Sequence, residues 1–182
     1  AVVMERLEPG RTEGVFDTAS GLLPVRRSGA DYALNFPARP SEPATRSVGL
    51  PEALGGMPRG IYVNQFNYMA IFDDAADVRR LVPDMAAIAR MDRPGVIVSA
   101  PGDKGFDFVS RYFAPAKGIP EDPVTGAAHC MLAPYWASRL GKSEFRAFQA
   151  SKRGGELVCR LLGDRVELEG GCVFYLEGVA EI

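Results

Sequence analysis

An α+β fold in which short strands enclose one buried helix is what the 182-residue sequence predicts. Three observations carry that expectation. Residues 126–140 are apolar on nearly every side, with Ala128, Leu132, Trp136 and Leu140 in one row and Ala127, Met131 and Tyr135 widening it. A helix of that kind sits inside a sheet rather than upon it. Strand-like stretches lie both before and after it, and Gly163-Asp164 and Gly170-Gly171 separate the later ones at hairpin spacing.

Taken in order, residues 1–7 read as the second half of an amphipathic helix, stopped by Pro9-Gly10. The chain starts there without an initiator Met, and a truncated or cleaved N-terminus is the expectation. Strands follow at 14–18 and 22–27, with Ser20-Gly21 between them. Ser28-Gly29-Ala30-Asp31 then turns into 32–36, where Tyr32, Leu34 and Phe36 alternate with Ala33 and Asn35 as in a half-buried strand. The three form a small antiparallel meander. Pro37, Pro40 and Pro43, with polar residues between them, place a linker at 39–50 and divide the chain into 1–38 and 51–182.

A short helix around 51–54 precedes strands at 61–65 and 67–72. Asp73 or Asp74 supplies an N-cap for the next helix, and Arg79-Arg80 complement the dipole at its other end. Pro83 ends that helix and opens another at 84–91, stopped by Asp92-Arg93-Pro94-Gly95. Val96-Ile97-Val98 lies in a buried strand, 95–99, far short of a membrane span. At 106–113, Phe106, Phe108, Ser110 and Tyr112 share one face and Asp107, Val109, Arg111 and Phe113 the other. The loop 114–123 leads into the long helix, which Gly141 ends. Pro134 within it has no N–H for the Cys130 carbonyl and is expected to kink or split it. Strands at 145–150, 156–162, 165–169 and 172–176 complete the chain.

Composition narrows the function. Apolar residues make up 47% and charged residues 24%, with a net charge of −2, as in an ordinary soluble globular protein. Neither nucleic acid nor a membrane is expected as a partner, since no basic run exceeds Arg26-Arg27 or Arg79-Arg80. The N-terminus shows no basic region followed by an apolar core, so no secretory signal is expected. Cys130, Cys159 and Cys172 are odd in number and form no Cys-x-x-Cys pair. That speaks against a disulfide framework or a zinc site and for a cytoplasmic location.

Chemistry concentrates in Glu121-Asp122-Pro123-Val124-Thr125-Gly126-Ala127-Ala128-His129-Cys130. Pro123 biases Asp122 away from helical backbone angles, and Thr125 is placed to cap the helix. The N–H groups of Gly126, Ala127 and Ala128 then gather at the helix start, with almost no side chain at Gly126 and Ala127 to keep a carboxylate off them. One reading is an acidic loop that caps a helix; the other makes Asp122 a general acid/base in a dry cleft. His129 is the only histidine. It reads either as a proton shuttle or as a helix residue bonded to a backbone carbonyl. Cys130, among apolar neighbours, reads as core before nucleophile. Gln149, Ser151 and Arg153 belong to a second polar cluster, 149–155, which is either an anion-facing loop or a turn with Gly154 and Gly155 at positive φ.

Three separated motifs, in order, resemble one family: Asp107-Phe108-Val109-Ser110-Arg111-Tyr112-Phe113-Ala114-Pro115, then Glu121-Asp122-Pro123-Val124-Thr125-Gly126, then Gln149-x-Ser151-x-Arg153-Gly154-Gly155. Together with Thr18-x-Ser20-Gly21-x-Leu23-x-Val25 and Asn35-Phe36-Pro37-Ala38, they are similar to the phenazine-biosynthesis-like (PhzF-like) isomerases. The resemblance implies a diaminopimelate-epimerase-like fold of two related domains, each wrapping strands around a central helix, with the active site between them. Residues 1–38 would be a remnant of the first domain. It also implies cofactor-independent proton transfer on a small carboxylate-bearing substrate, with Asp122 catalytic and Thr125, Gly126 and Ala127 binding the carboxylate. His129, Gln149, Ser151 and Arg153 are further candidates for the site, no metal is expected, and a homodimer is.

Two departures accompany the resemblance. The family's catalytic glutamate and Gly-His motif belong to an earlier segment than any present here, and Ala127 stands where the family usually has serine. A non-catalytic anion-binding or dimerisation module of the same fold is therefore the alternative. An amino-acid racemase or epimerase is the weaker one, because Cys130 lies a turn too deep for paired-cysteine chemistry.

Overall fold

The computed structural model describes residues 1–18, 21–46, 49–174 and 178. A π-helical turn, Val3–Leu7, buries Met4 and leads into the expected meander: β1 (Glu13–Thr18), β2 (Gly21–Ser28) and β3 (Asp31–Pro37), all antiparallel. Ser20, read as part of the first turn, lies outside the described residues. The stretch read as a linker carries a two-residue strand, β4 (Glu42–Pro43), and runs into α1 (Leu50–Leu54), which has Pro51 in its first turn and Gly55 at φ 69° closing it.

β5 (Gly60–Val63) and β6 (Asn67–Ile71) precede two short helices, α2 (Ala75–Arg80) and α3 (Met85–Ala89). Of the two candidate caps, Asp74 is the one used: it accepts from the Ala76 N–H at 2.5 Å, and Asp84 serves α3 in the same way through Ala87 at 3.0 Å. Then come β7 (Gly95–Pro101), β8 (Phe108–Ala114), a short β9 (Ile119–Glu121) and the long helix α4 (Gly126–Leu140). β10 (Glu144–Gln149), β11 (Gly155–Leu162) and β12 (Arg165–Gly170) follow, the last two joined across Gly163-Asp164. Residues 171–174 form no strand, contrary to the expectation for 172–176, and Tyr175 and Leu176 lie outside the described residues.

The strands form one ladder in the order β1-β2-β3-β12-β11-β10-β8-β7-β6-β5-β4, with β9 attached to β8. Only β6–β7 and β8–β10 are parallel among these pairs. Pairing of β3 with β12 carries the meander into the rest of the sheet, and charges reinforce it. Arg26 on β2 donates to both oxygens of Glu167 at 3.0 and 2.7 Å, and Arg160 on β11 reaches Glu167 and Glu169. Hydrogen bonding to Arg26 holds the Glu167 carboxyl below its ordinary range.

Both faces of the central strands are covered. Met69, Ile97, Phe108 and Tyr112 pack on α4, while Ala70, Val96, Val98, Val109 and Phe113 pack towards α1, α2 and α3. That explains why Val96-Ile97-Val98 is uninterrupted by a polar residue. The α4 residues Ala128 to Ala133 and Tyr135-Trp136 are buried, so α4 is the enclosed helix that its apolar character requires.

Pro134 does not divide α4, which runs unbroken over its 15 residues. The carbonyl of Cys130, deprived of its helical donor, accepts instead from the Arg39 N–H at 2.9 Å. The first residue of the stretch read as a linker thus satisfies a group that the helix leaves orphaned.

Candidate active site

A fork in the sheet builds the site. One edge of β8 pairs with β7 along its length; the other is shared, β10 lying against Phe108–Ser110 and β9 against Phe113 and Ala114. The chain leaving β9 and the chain leaving β10 therefore arrive at the same place. Asp122 continues the β9 ladder by donating its N–H to Tyr112 O at 3.0 Å, and Ala150 donates to Ser110 O at 2.7 Å. Glu121 is held by a two-pronged ion pair with Arg111, at 2.7 and 3.1 Å.

Gln149, at the end of β10, is fully buried and its amide is spent inward. Its Oε1 accepts from the Thr125 N–H at 2.8 Å, while Nε2 donates to Asp122 O at 2.6 Å and to Thr125 Oγ1 at 3.1 Å. The Ser151 hydroxyl donates to Pro123 O at 2.9 Å. These two side chains tie down the turn from Asp122 to Thr125 and do not face an open loop. Arg153 is exposed, and with Lys152 it lines a shallow depression beside Glu121 and Pro123. In the same loop Gly154 has φ 71°, as expected, but Gly155 does not take positive φ. It is small because a Cβ there would stand 2.2 Å from Val124 Cγ2, inside contact distance.

Thr125 occupies the N-cap position of α4 with extended backbone angles, yet its side chain makes no capping bond. The hydroxyl donates instead to Asp122 Oδ2 at 2.5 Å. Asp122 Oδ1 has no partner among the described residues. The N–H groups of Gly126, Ala127 and Ala128 have no acceptor among the described residues either, and Ala127 is exposed. A half-buried carboxylate with one oxygen fixed and one open thus stands beside the positive end of a 15-residue helix. The acid/base reading places Asp122 in a dry cleft; here that side chain keeps partial access to solvent.

His129 is completely buried, and its Nδ1 lies 2.8 Å from Thr125 O. A carbonyl only accepts, so Nδ1 carries the proton, and Nε2 has no partner among the described residues. That is the second of the two arrangements open to this residue, a helix histidine bonded to a backbone carbonyl. Burial pulls its pKa down to about 4, the bond to Thr125 opposing. An unfolded chain protonates the ring near pH 6.5, whereas the folded one keeps it neutral to about pH 4. Stability from this group is complete above pH 6.5 and is lost as pH falls towards 4, at a slope of about 1.4 kcal/mol per pH unit. Urea unfolding of wild type and His129→Phe at pH 7.5, 5.5 and 4.5 checks this. Wild type should weaken across the window, with the variant's curve flatter by about that slope.

Cys130 is buried core, and burial lifts its thiol to about 11, which leaves it un-ionised and unreactive. Among the described residues no group of three or more His, Cys, Asp or Glu side chains is arranged to hold a metal ion. No helix among them is long and apolar enough to cross a membrane. Asp122, Thr125, His129 and Gln149 form one hydrogen-bonded unit, and Gly126 and Ala127 adjoin it; Arg153 stays at the rim.

Known proteins share both the sequence and the fold. A family profile described as phenazine biosynthesis-like protein matches residues 1–178. An uncharacterized isomerase from Pseudomonas aeruginosa is 40% identical over 181 residues, covering 100% of this chain and 69% of that protein. A second uncharacterized isomerase from the same organism is 46% identical over 172 residues, covering 94% and 65%. The crystal structure of a PhzF-family phenazine biosynthesis protein from Enterococcus faecalis matches with a TM-score of 0.91 at 34% identity, covering 100% of this chain and 69% of that one. The α+β architecture is of the diaminopimelate-epimerase-like type shared with such proteins. The chain spans about two thirds of the length of the relatives it matches.

Proposed function

The chain belongs to the phenazine biosynthesis-like protein family, whose relatives include proteins named isomerases, and on that premise we propose that it serves cofactor-independent proton transfer on a small carboxylate-bearing substrate. In this reading the N–H groups of Gly126 and Ala127 hold the substrate carboxylate against the helix start. Asp122, through its open Oδ1, takes a proton from the substrate carbon or returns one. Carboxylates placed within reach of a substrate proton contribute about 10²–10⁴-fold to rate. The observation that carries the reading is the direction of the Thr125 hydroxyl: it bonds Asp122 and leaves its own helix uncapped. A residue placed as a cap that declines to cap makes sense where another acceptor is to occupy those amides.

Capture of a small anion without turnover is the second reading, and one observation favours it. Among the described residues, no second carboxylate or imidazole bonds to Asp122, since Glu121 is engaged by Arg111 and His129 is sealed in the core. A two-sided proton transfer needs a group opposite the first.

Incubation in deuterated water with a carboxylate of the dihydro-hydroxyanthranilate type separates the two. Solvent deuterium entering carbon-bound positions of the substrate supports proton transfer. Binding with no label taken up supports the module instead.

A further inference from the structure

We infer that Gln149 is the positioning residue that keeps Thr125 from capping its own helix, and so keeps the α4 amides open. The inference deepens the reading of Gly126 and Ala127 as a carboxylate site and rests on it. Every polar group of Thr125 is committed. Its N–H donates to Gln149 Oε1, its carbonyl accepts from His129 Nδ1, and its hydroxyl oxygen accepts from Gln149 Nε2.

The orientation of the Gln149 amide is forced. The Thr125 N–H can only face an acceptor, which sets Oε1, and the Asp122 carbonyl can only face a donor, which sets Nε2. Nε2 then delivers its second hydrogen to Thr125 Oγ1, so the single hydroxyl proton must point elsewhere. It points to Asp122 Oδ2, which can only accept. A threonine free of that constraint at an N-cap turns its oxygen towards the N–H of the second or third helical residue, here Ala127 or Ala128. Gln149 therefore holds Thr125 on the Asp122 side from a fully buried position.

The test uses benzoate as the carboxylate probe, followed by calorimetry, together with amide hydrogen exchange. In wild type, the exposed Ala127 should exchange at the rate of an unprotected amide. In Gln149→Met, Thr125 turns to the helix: protection of Ala127 or Ala128 rises at least tenfold and benzoate affinity falls about tenfold. Adding Thr125→Val to Gln149→Met removes the hydroxyl that would cap, and affinity should return to within about twofold of Thr125→Val alone. A purely structural role for Gln149 would not be rescued in this way, so persistent weak binding in the double variant overturns the inference. A protected Ala127 amide in wild type overturns it too, and that measurement stands even where Gln149→Met fails to fold. Absence of benzoate binding to wild type would sink the carboxylate-site reading, while the exchange rates still decide the role of Gln149.

Discussion

Asp122→Asn should lower the rate of deuterium uptake into substrate by about 10²–10⁴-fold, the range a general acid/base supplies. The substitution keeps the shape of the side chain, and an amide oxygen in place of Oδ2 can still accept from the Thr125 hydroxyl. The backbone bonds of residue 122 to Tyr112 and Gln149 are untouched. Fold and anion binding should therefore survive, and only the capacity to exchange a proton is lost. Removing a negative charge beside the carboxylate site should, if anything, tighten anion binding. Label uptake by mass spectrometry, with benzoate affinity as the control, reads both effects. Uptake at the wild-type rate would remove Asp122 from the chemistry.

Phe108→Ala should cost about 3–5 kcal/mol of stability, the usual range for emptying a buried aromatic site. Phe108 is fully buried where β8, β10 and α4 meet. It stacks on Trp136 at 5.7 Å with an interplanar angle of 6°, and lies 5.9 Å from Phe145 and 6.0 Å from His129. Neighbours that are themselves buried, Phe145 and Trp136 among them, cannot collapse far into the space, so the cavity persists. Against a total of about 5–15 kcal/mol for a typical domain, the loss takes a large share. Urea unfolding measures it directly, and Phe108→Leu should lose less because more volume is kept.

Local chemistry made much of this fold legible in the sequence. The end of α4 follows from Gly141, the caps of the short helices from Asp74 and Asp84, and the last hairpin from Gly163-Asp164. What stayed hidden depends on contacts between distant residues. Pro134 gives every local reason for a break, yet the helix continues because Arg39 donates to the carbonyl it leaves open. Gly155 looks like a turn residue and is small for Val124's sake. β4 and β9 are too short to show a period of their own.

The site divides in the same way. Asp122, Thr125 and the small residues after them lie within one local run, so their meeting could be read from order alone. Gln149 stands 24 residues beyond Thr125, and its inward amide depends on β10 and β9 sharing one edge of β8. The Gln149-x-Ser151 pattern marks the place without disclosing that both side chains face the turn. His129 shows the limit of composition: a lone histidine next to an acidic turn fits either a shuttle or a carbonyl-bonded helix residue until burial and its bond to Thr125 O are seen.

The central claim is that open amides at the start of α4 hold a carboxylate next to Asp122. Nitrogen–proton correlation spectra of uniformly labelled protein, recorded during a benzoate titration, test it most directly. The expected result is that Gly126, Ala127 and Ala128 show the largest amide shifts, saturate together, and do so in Asp122→Asn as well. Saturable shifts confined to other residues, such as Lys152 and Arg153 at the rim, with those three amides unmoved, would contradict it.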